Sequence, residues 1–266
     1  MPTYLLSEEV LNNSPTVQAN VPHKIEMNNR IFICQLIERA GRMLKLPITT
    51  VITSQIIVHR FYYRQDMLKH KALPVAMTSL FLATKVEESP RKIRDILNVF
   101  DRVLKKQQGL VLTPFDTTSQ RYESWRRRMK NMELIILAEL GYVLYVDHPH
   151  KLMLHYLRAL QDDNDMELWK EVAQRAWNFL NDSFRTNLCL RFRPEVLATA
   201  SIYLTFRIMG IPVPDNPPWY TVFDVRLIDL QEVSISYDIY IIYTYFNLLL
   251  FLLIITYNIY IFFISG

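Results

Sequence analysis

Glycine is scarce in this chain: five residues among 266. None of them forms a G-x-G-x-x-G or Walker pattern, and no kinase catalytic-loop signature is present. This argues against the nucleotide-binding classes, which need glycine where backbone approaches phosphate. Five glycines are also too few for a loop-rich β protein. The two cysteines, Cys34 and Cys189, lie far apart in apolar helical patterns, which reads as a reduced, intracellular chain. No apolar run opens the sequence, so no secretory leader is expected. An excess of one charge is missing too: 30 Lys and Arg stand against 26 Asp and Glu, and a net charge of +4 neither demands nor excludes nucleic acid. One stretch, residues 239–264, lacks charge altogether.

What the chain does have is a series of long periodic segments with short breaks, the pattern of an all-α fold. Residues 72–84 carry no charge and are sprinkled with small side chains: Ala76, Thr78, Ser79, Ala83 and Thr84. A helix that is apolar all round must be enclosed by other elements. It ends in a charged tip, Lys85, Glu87 and Glu88. Ser89-Pro90 follows and predicts a helix start, with Ser as N-cap and Pro at the first position. From there Ile93, Ile96, Leu97, Phe100, Val103 and Leu104 form an amphipathic stripe.

Three further helices are predicted in this half: residues 26–46, 49–63 and 119–140, the last closed by Gly141. A second set follows, over residues 149–160, 167–184 and 194–209. It repeats the first. Shifting the buried helix by 122 positions puts Ser79 on Ser201, Leu80 on Ile202, Phe81 on Tyr203, Leu82 on Leu204 and Lys85 on Arg207. A period this long implies two homologous lobes, not a solenoid.

Signals for chemistry are few. His148-Pro149-His150 has no third ligand at metal spacing and reads as a linker entering a helix. The acidic run 162–165 lacks the glycine and closing glutamate of a calcium loop and reads as a solvated turn beside a helix start. The basic run RYESWRRRMK, residues 121–130, reads as the exposed face of a helix with Trp125 tucked in; binding of RNA or phosphate is the weaker reading. No metal or cofactor site is expected. Lys85 and Glu133 stand out as charges bordered by apolar residues. They could form a salt bridge linking two helices, or a pair completed by a partner.

At this point the chain resembles the cyclin family. LFLATKVEES (80–89) and MELIILAELGY (132–142) are similar to the third and fifth helices of a first cyclin box. HRFYY (59–63) is similar to the second-helix signature of transcription-type cyclins. RKIRDILNVF, LGYVLYVDHPHKLMLHYL, NDSFRTNLCLRFRPE and IPVPDNPPW resemble the splicing-linked cyclin L branch. The likeness runs from about Tyr4 to Glu232.

The resemblance implies an all-α protein of two tandem five-helix cyclin-box lobes, with no catalysis of its own. The implied organisation is an arm (1–24), a first box (25–146), a second box truncated at its last helix (147–233) and an atypical apolar tail (234–266). Ser183 to Asn187, with Arg185, belongs to the likeness but carries no chemistry readable from the residues. The implied role is regulatory. A cyclin holds the αC helix of a cyclin-dependent kinase so that the kinase's Lys–Glu ion pair forms, a requirement for phosphoryl transfer. The family grips the kinase through a Lys ending helix three and a Glu within helix five, which map onto Lys85 and Glu133. Val86, Glu88 and Leu137 are expected on the same surface. The implied partner is a transcription- or splicing-class kinase of the PITSLRE type, in the nucleus, with no direct nucleic-acid contact. A cyclin-fold scaffold of the transcription machinery that activates no kinase is the alternative.

The tail fits neither lobe. Of residues 239–264, 24 are Phe, Ile, Leu, Asn or Tyr, types with codons built only of A and T. Translated non-coding sequence is the favoured reading. A membrane anchor is the other, since roughly 20 apolar residues span a bilayer. Splicing factors are further partners that the resemblance implies, but the Arg/Ser-rich tail through which cyclin L proteins associate with them is replaced here by this apolar one.

Overall fold

The computed structural model describes residues 5–161, 165–212 and 216–236. Two short helices come first, α1 (Glu8–Asn12) and α2 (Pro15–Gln18). The first lobe is then built from α3 (His23–Met43), α4 (Ile48–Tyr62), α5 (Ala72–Val86), α6 (Ile93–Gln107) and α7 (Gln120–Glu139). The second lobe contains α8 (Pro149–Leu160), α9 (Met166–Ser183), α10 (Leu188–Arg191) and α11 (Pro194–Met209). A 3-10 turn, Trp219–Phe223, leads to α12, residues 227–236. Among the described residues there is no β-strand.

The helix ends follow local chemistry. Ser119 Oγ accepts the Tyr122 N–H at the start of α7, and the Asp165 carboxylate accepts the Leu168 N–H at the start of α9. Pro194 opens α11 and Gly210, at φ 65°, closes it in the left-handed region that glycine adopts without strain. The start predicted at Ser89-Pro90 is displaced. Helix α6 begins at Ile93, and Ser89 Oγ bonds Thr50 Oγ1 at 2.9 Å instead of capping. Glu88, at φ 49°, turns the chain there, and Arg91 reaches back to the Leu44 carbonyl.

Each lobe surrounds one apolar helix. In α5 every residue from Val75 to Thr84 is buried, packed by α3, α4, α6 and α7. Its repeat α11 is buried from Val196 to Phe206 apart from Tyr203, against α8 and α9. Small residues permit the close approach, and some of the hydroxyls bond back to their own helix: Thr84 donates to the Phe81 carbonyl and Ser201 to that of Ala198, whereas Thr78 Oγ1 and Ser79 Oγ have no partner among the described residues.

Helix α4 belongs to both lobes. Val51, Ile57, Val58 and Phe61 sit in the first core, whereas Ile52 and Ile56 sit in the second with Val146, Leu188 and Leu197. The arm, which the sequence leaves as irregular or loosely docked, is docked over its described residues. Leu11, Ser14 and Thr16 are buried, Thr16 Oγ1 accepts the Met67 N–H, and the Leu6 N–H donates to the Leu190 carbonyl of the second lobe. In α12, Leu230 and Val233 enter the second core. The expected loss of most of this last helix, and the apolar tail, fall outside the described residues.

Candidate functional site

Lys85 occupies the last turn of α5, where the carbonyl end of the helix favours a cation. Its Nζ lies 2.6 Å from Glu133 Oε1 on α7 and 4.3 Å from the centroid of the Phe81 ring. The pair is asymmetric: the Lys85 side chain is 49% exposed and that of Glu133 18%. The carboxylate is therefore sheltered and fixed, while the ammonium faces outward across it. Val86 is exposed beside Lys85, and Leu134, one residue beyond Glu133, is 65% exposed. Leu137 is half-buried against the first core, and Glu88 is exposed at the turn.

The acidic tip divides in two. Glu88 faces solvent, but Glu87 turns inward, its Oε1 accepting from Thr53 Oγ1 at 2.7 Å and lying 3.2 Å from His148 Nε2. His148 also contacts Thr53 and thereby joins the inter-lobe link to α4 and α5. His150 serves a different purpose: its Nε2 meets Asn181 Oδ1 at 3.0 Å and its ring packs on Trp177 and Phe184. Among the described residues no three His, Cys, Asp or Glu side chains are grouped as metal ligands.

The HRFYY segment is the fastening between lobes. His59 is fully buried and its Nε2 lies 3.0 Å from the Phe184 carbonyl, which can only accept, so the ring carries its proton there. Burial first, and the Arg30 guanidinium second, lower the His59 pKa to about 3. Arg60 donates to the Tyr145 carbonyl, and Tyr63 Oη accepts from Asn187 Nδ2 at 2.8 Å. Arg185 bridges to Glu38 of α3 at 2.7 Å. The segment 183–187 thus has a role that its sequence alone did not disclose: it closes the second lobe on α3 and α4.

Beneath these contacts lies a buried ion pair. Arg30 Nη2 is 2.6 Å from Glu26 Oε1, with both side chains 5% exposed. Ser14 Oγ donates to the other Glu26 oxygen, Arg30 also reaches the His59 and Tyr62 carbonyls, and its guanidinium lies over the Tyr63 ring. A buried pair needs such further partners to offset desolvation. The two thiols lie nearby, Cys34 buried and Cys189 half-buried, and desolvation drives the pKa of Cys34 up and that of Cys189 to about 12, which favours the protonated thiol in both.

The basic face of α7 is partly neutralised: Arg126 pairs with Glu123, and Arg128 lies over Trp125, which packs on the first core.

Two lobes around repeated buried helices is the arrangement that the sequence likeness predicts. The profile described as "Cyclin, N-terminal domain" matches residues 1–145. The chain belongs to the cyclin family. It is 38% identical over 232 residues to human Cyclin-L1, covering 87% of this chain and 43% of that protein. To rice Cyclin-L1-1 it is 36% identical over 231 residues, covering 87% and 52%. This cyclin therefore spans about half the length of the curated relatives it matches.

Solved structures share the fold. A chain in the crystal structure of the yeast RNA Pol II CTD kinase CTDK-1 complex aligns at TM-score 0.71 and 17% identity, over 88% of this cyclin and 71% of that chain. One in the yeast TFIIK (Kin28/Ccl1/Tfb3) complex aligns at TM-score 0.60 and 14% identity, over 88% and 94%.

Proposed function

We propose that this cyclin is a non-catalytic regulatory subunit that binds and activates a cyclin-dependent kinase of the transcription and splicing class, of the PITSLRE type, in the nucleus. The observation that carries the reading is the Lys85–Glu133 pair, preformed at 2.6 Å with its ammonium half exposed and apolar Val86 and Leu134 beside its members. A partner helix laid on this face covers the apolar side chains and desolvates a pair that is already aligned. Truncating one member of a buried interfacial pair costs about 2–5 kcal/mol, because the other charge is left unpaired.

Among the described residues the second lobe offers no equivalent. Arg207 ends α11 as Lys85 ends α5, but it contacts Tyr203 and is followed by Ile208, Met209 and Gly210 in place of an acidic tip. The fold likeness to chains in two kinase complexes supports a kinase partner. The likeness to cyclin L supports the splicing-linked class over the cell-cycle one.

The test is co-purification of the chain with a panel of transcription-class cyclin-dependent kinases, followed by kinase assay. The reading predicts a complex with raised kinase activity. A chain that folds but captures and activates none of them overturns it in favour of a scaffold without kinase activation.

A further inference from the structure

Three Ser/Thr-Pro dipeptides occur in this sequence: Ser14-Pro15, Ser89-Pro90 and Thr113-Pro114. The structure treats them differently. Ser14 is buried, caps α2 and donates to Glu26. Ser89 is half-buried and bonded to Thr50 Oγ1. Thr113 is exposed, in the segment without helix between α6 and α7.

Lys105 and Arg102 border Thr113, and Arg121 lies close by, over the ring of Phe115 two residues on. Lys105 Nζ lies 3.0 Å from its Oγ1 and 3.2 Å from its carbonyl oxygen. The Lys105 side chain is only 18% exposed, held by Asp101 at 2.6 Å, and the Asp101 carboxylate is 9% exposed. Arg121, from α7, meets the same carboxylate at 3.4 Å and lies over the Phe115 ring. Arg102 lines, with Asn98, Thr113 and Phe115, a surface cavity of about 300 Å³. Lys105 and Arg121 thus share one carboxylate while Arg102 lines the cavity at Thr113, an excess of two positive charges near an exposed hydroxyl whose only hydrogen bond among the described residues comes from Lys105. The other nearby acid, Asp116, is engaged by the Thr118 N–H and hydroxyl.

We propose that Thr113 is a phosphorylation site, the substrate of a proline-directed Ser/Thr protein kinase, with a preformed basic receptor for the phosphate. A residue before proline is held extended, and proline presents no N–H that an enzyme cleft must satisfy. In the reaction the bond from Thr113 Oγ1 to the γ-phosphorus of ATP forms, the bond from that phosphorus to the ADP oxygen breaks, and the hydroxyl proton passes to the kinase base. The product carries about −1.5 to −2 charge, which matches the excess of cations it meets. Phosphate held by Lys105, Arg102 and Arg121 ties the loop to the end of α6 and the start of α7 (a connection that the hydroxyl makes only weakly).

The experiment uses the full chain, a proline-directed Ser/Thr kinase and Mg-ATP, with the site mapped by peptide mass spectrometry and the phosphate titrated by 31P NMR. The expected result is one phosphate at Thr113 and none there in Thr113→Ala. Its second pKa should lie below that of the same phosphorylated chain in denaturant, and Arg102→Gln, an exposed change, should move it part of the way back. Modification at Ser14 or Ser89 instead, or none at Thr113 when the denatured chain accepts it, overturns the assignment of the site. An identical phosphate pKa in folded and denatured chains overturns the receptor.

Discussion

His59 on α4 donates its Nε2 proton to the carbonyl of Phe184, 125 positions away, at 3.0 Å. This bond joins the lobes through a ring that burial and the Arg30 guanidinium hold neutral well into the acid range. Protonation has no counter-ion to meet there, since the charge facing the ring is the Arg30 guanidinium.

Acid should therefore weaken the fold through its buried histidines. The folded pKa of His59 is lowered to about 3 and that of His150, buried beside Trp177, to about 4. Both lie below the ordinary value of 6.5. Between the folded and ordinary values the unfolded chain binds more protons, so stability is complete above the unfolded pKa and falls as pH drops below it. Each histidine contributes a loss of about 1.4 kcal/mol per pH unit well below that value. Urea midpoints measured from pH 7.5 to 5 should fall toward the acid end, and His59→Gln should flatten the slope. Midpoints flat across that range contradict the account.

The Glu26–Arg30 pair should behave as a buried charge, not as an ordinary surface i,i+4 pair. Arg30→Ala leaves Glu26 buried with only Ser14 as partner. A loss of about 3–5 kcal/mol is expected by denaturant unfolding, against under 1 kcal/mol for an exposed helix pair. Because Ser14 anchors the arm, the variant should also be cleaved earlier by protease within residues 5–22.

Gly41 should reject a methyl group. A β-carbon placed there would lie 2.5 Å from Val51 Cγ2, where α3 passes α4. Gly41→Ala raises helix propensity, yet it should lower stability by about 1–3 kcal/mol through overpacking. A thermal melt at or above that of the parent chain is the contrary result.

Much of this fold could be read in advance from periodicity. The eight long helices reach nearly their predicted positions because their apolar stripes recur at helical spacing, and the 122-residue repeat places α11 on α5. The misreadings have tertiary causes. Ser89 looks like a cap, but Thr50, from another helix, takes its hydroxyl. The sequence leaves the arm between irregular and loosely docked because α1 and α2 are too short to show a period, and its docking comes from Glu26, Met67 and Leu190. Helix α4 shows a broad apolar face, but pattern alone does not reveal that two cores share it. The site divides likewise. Lys85 and Glu133 stand out as charges among apolar neighbours, whereas Glu87 looks equivalent to Glu88 until His148 and Thr53 are brought beside it.

The central claim is that Lys85 and Glu133 are kept for a partner rather than for the fold. The most direct measurement is a double-mutant cycle, Lys85→Ala and Glu133→Ala, read both as kinase affinity and as the melting temperature of the free chain. The free pair is half exposed at Lys85, so its contribution to stability is at most about 1 kcal/mol and the melts should nearly coincide. Kinase affinity should fall by roughly 30-fold to 1,000-fold or more in each single variant, matching about 2–5 kcal/mol, with the double variant far less than additive. Unchanged affinity together with a lowered melting temperature would make the pair a structural bridge and contradict the account.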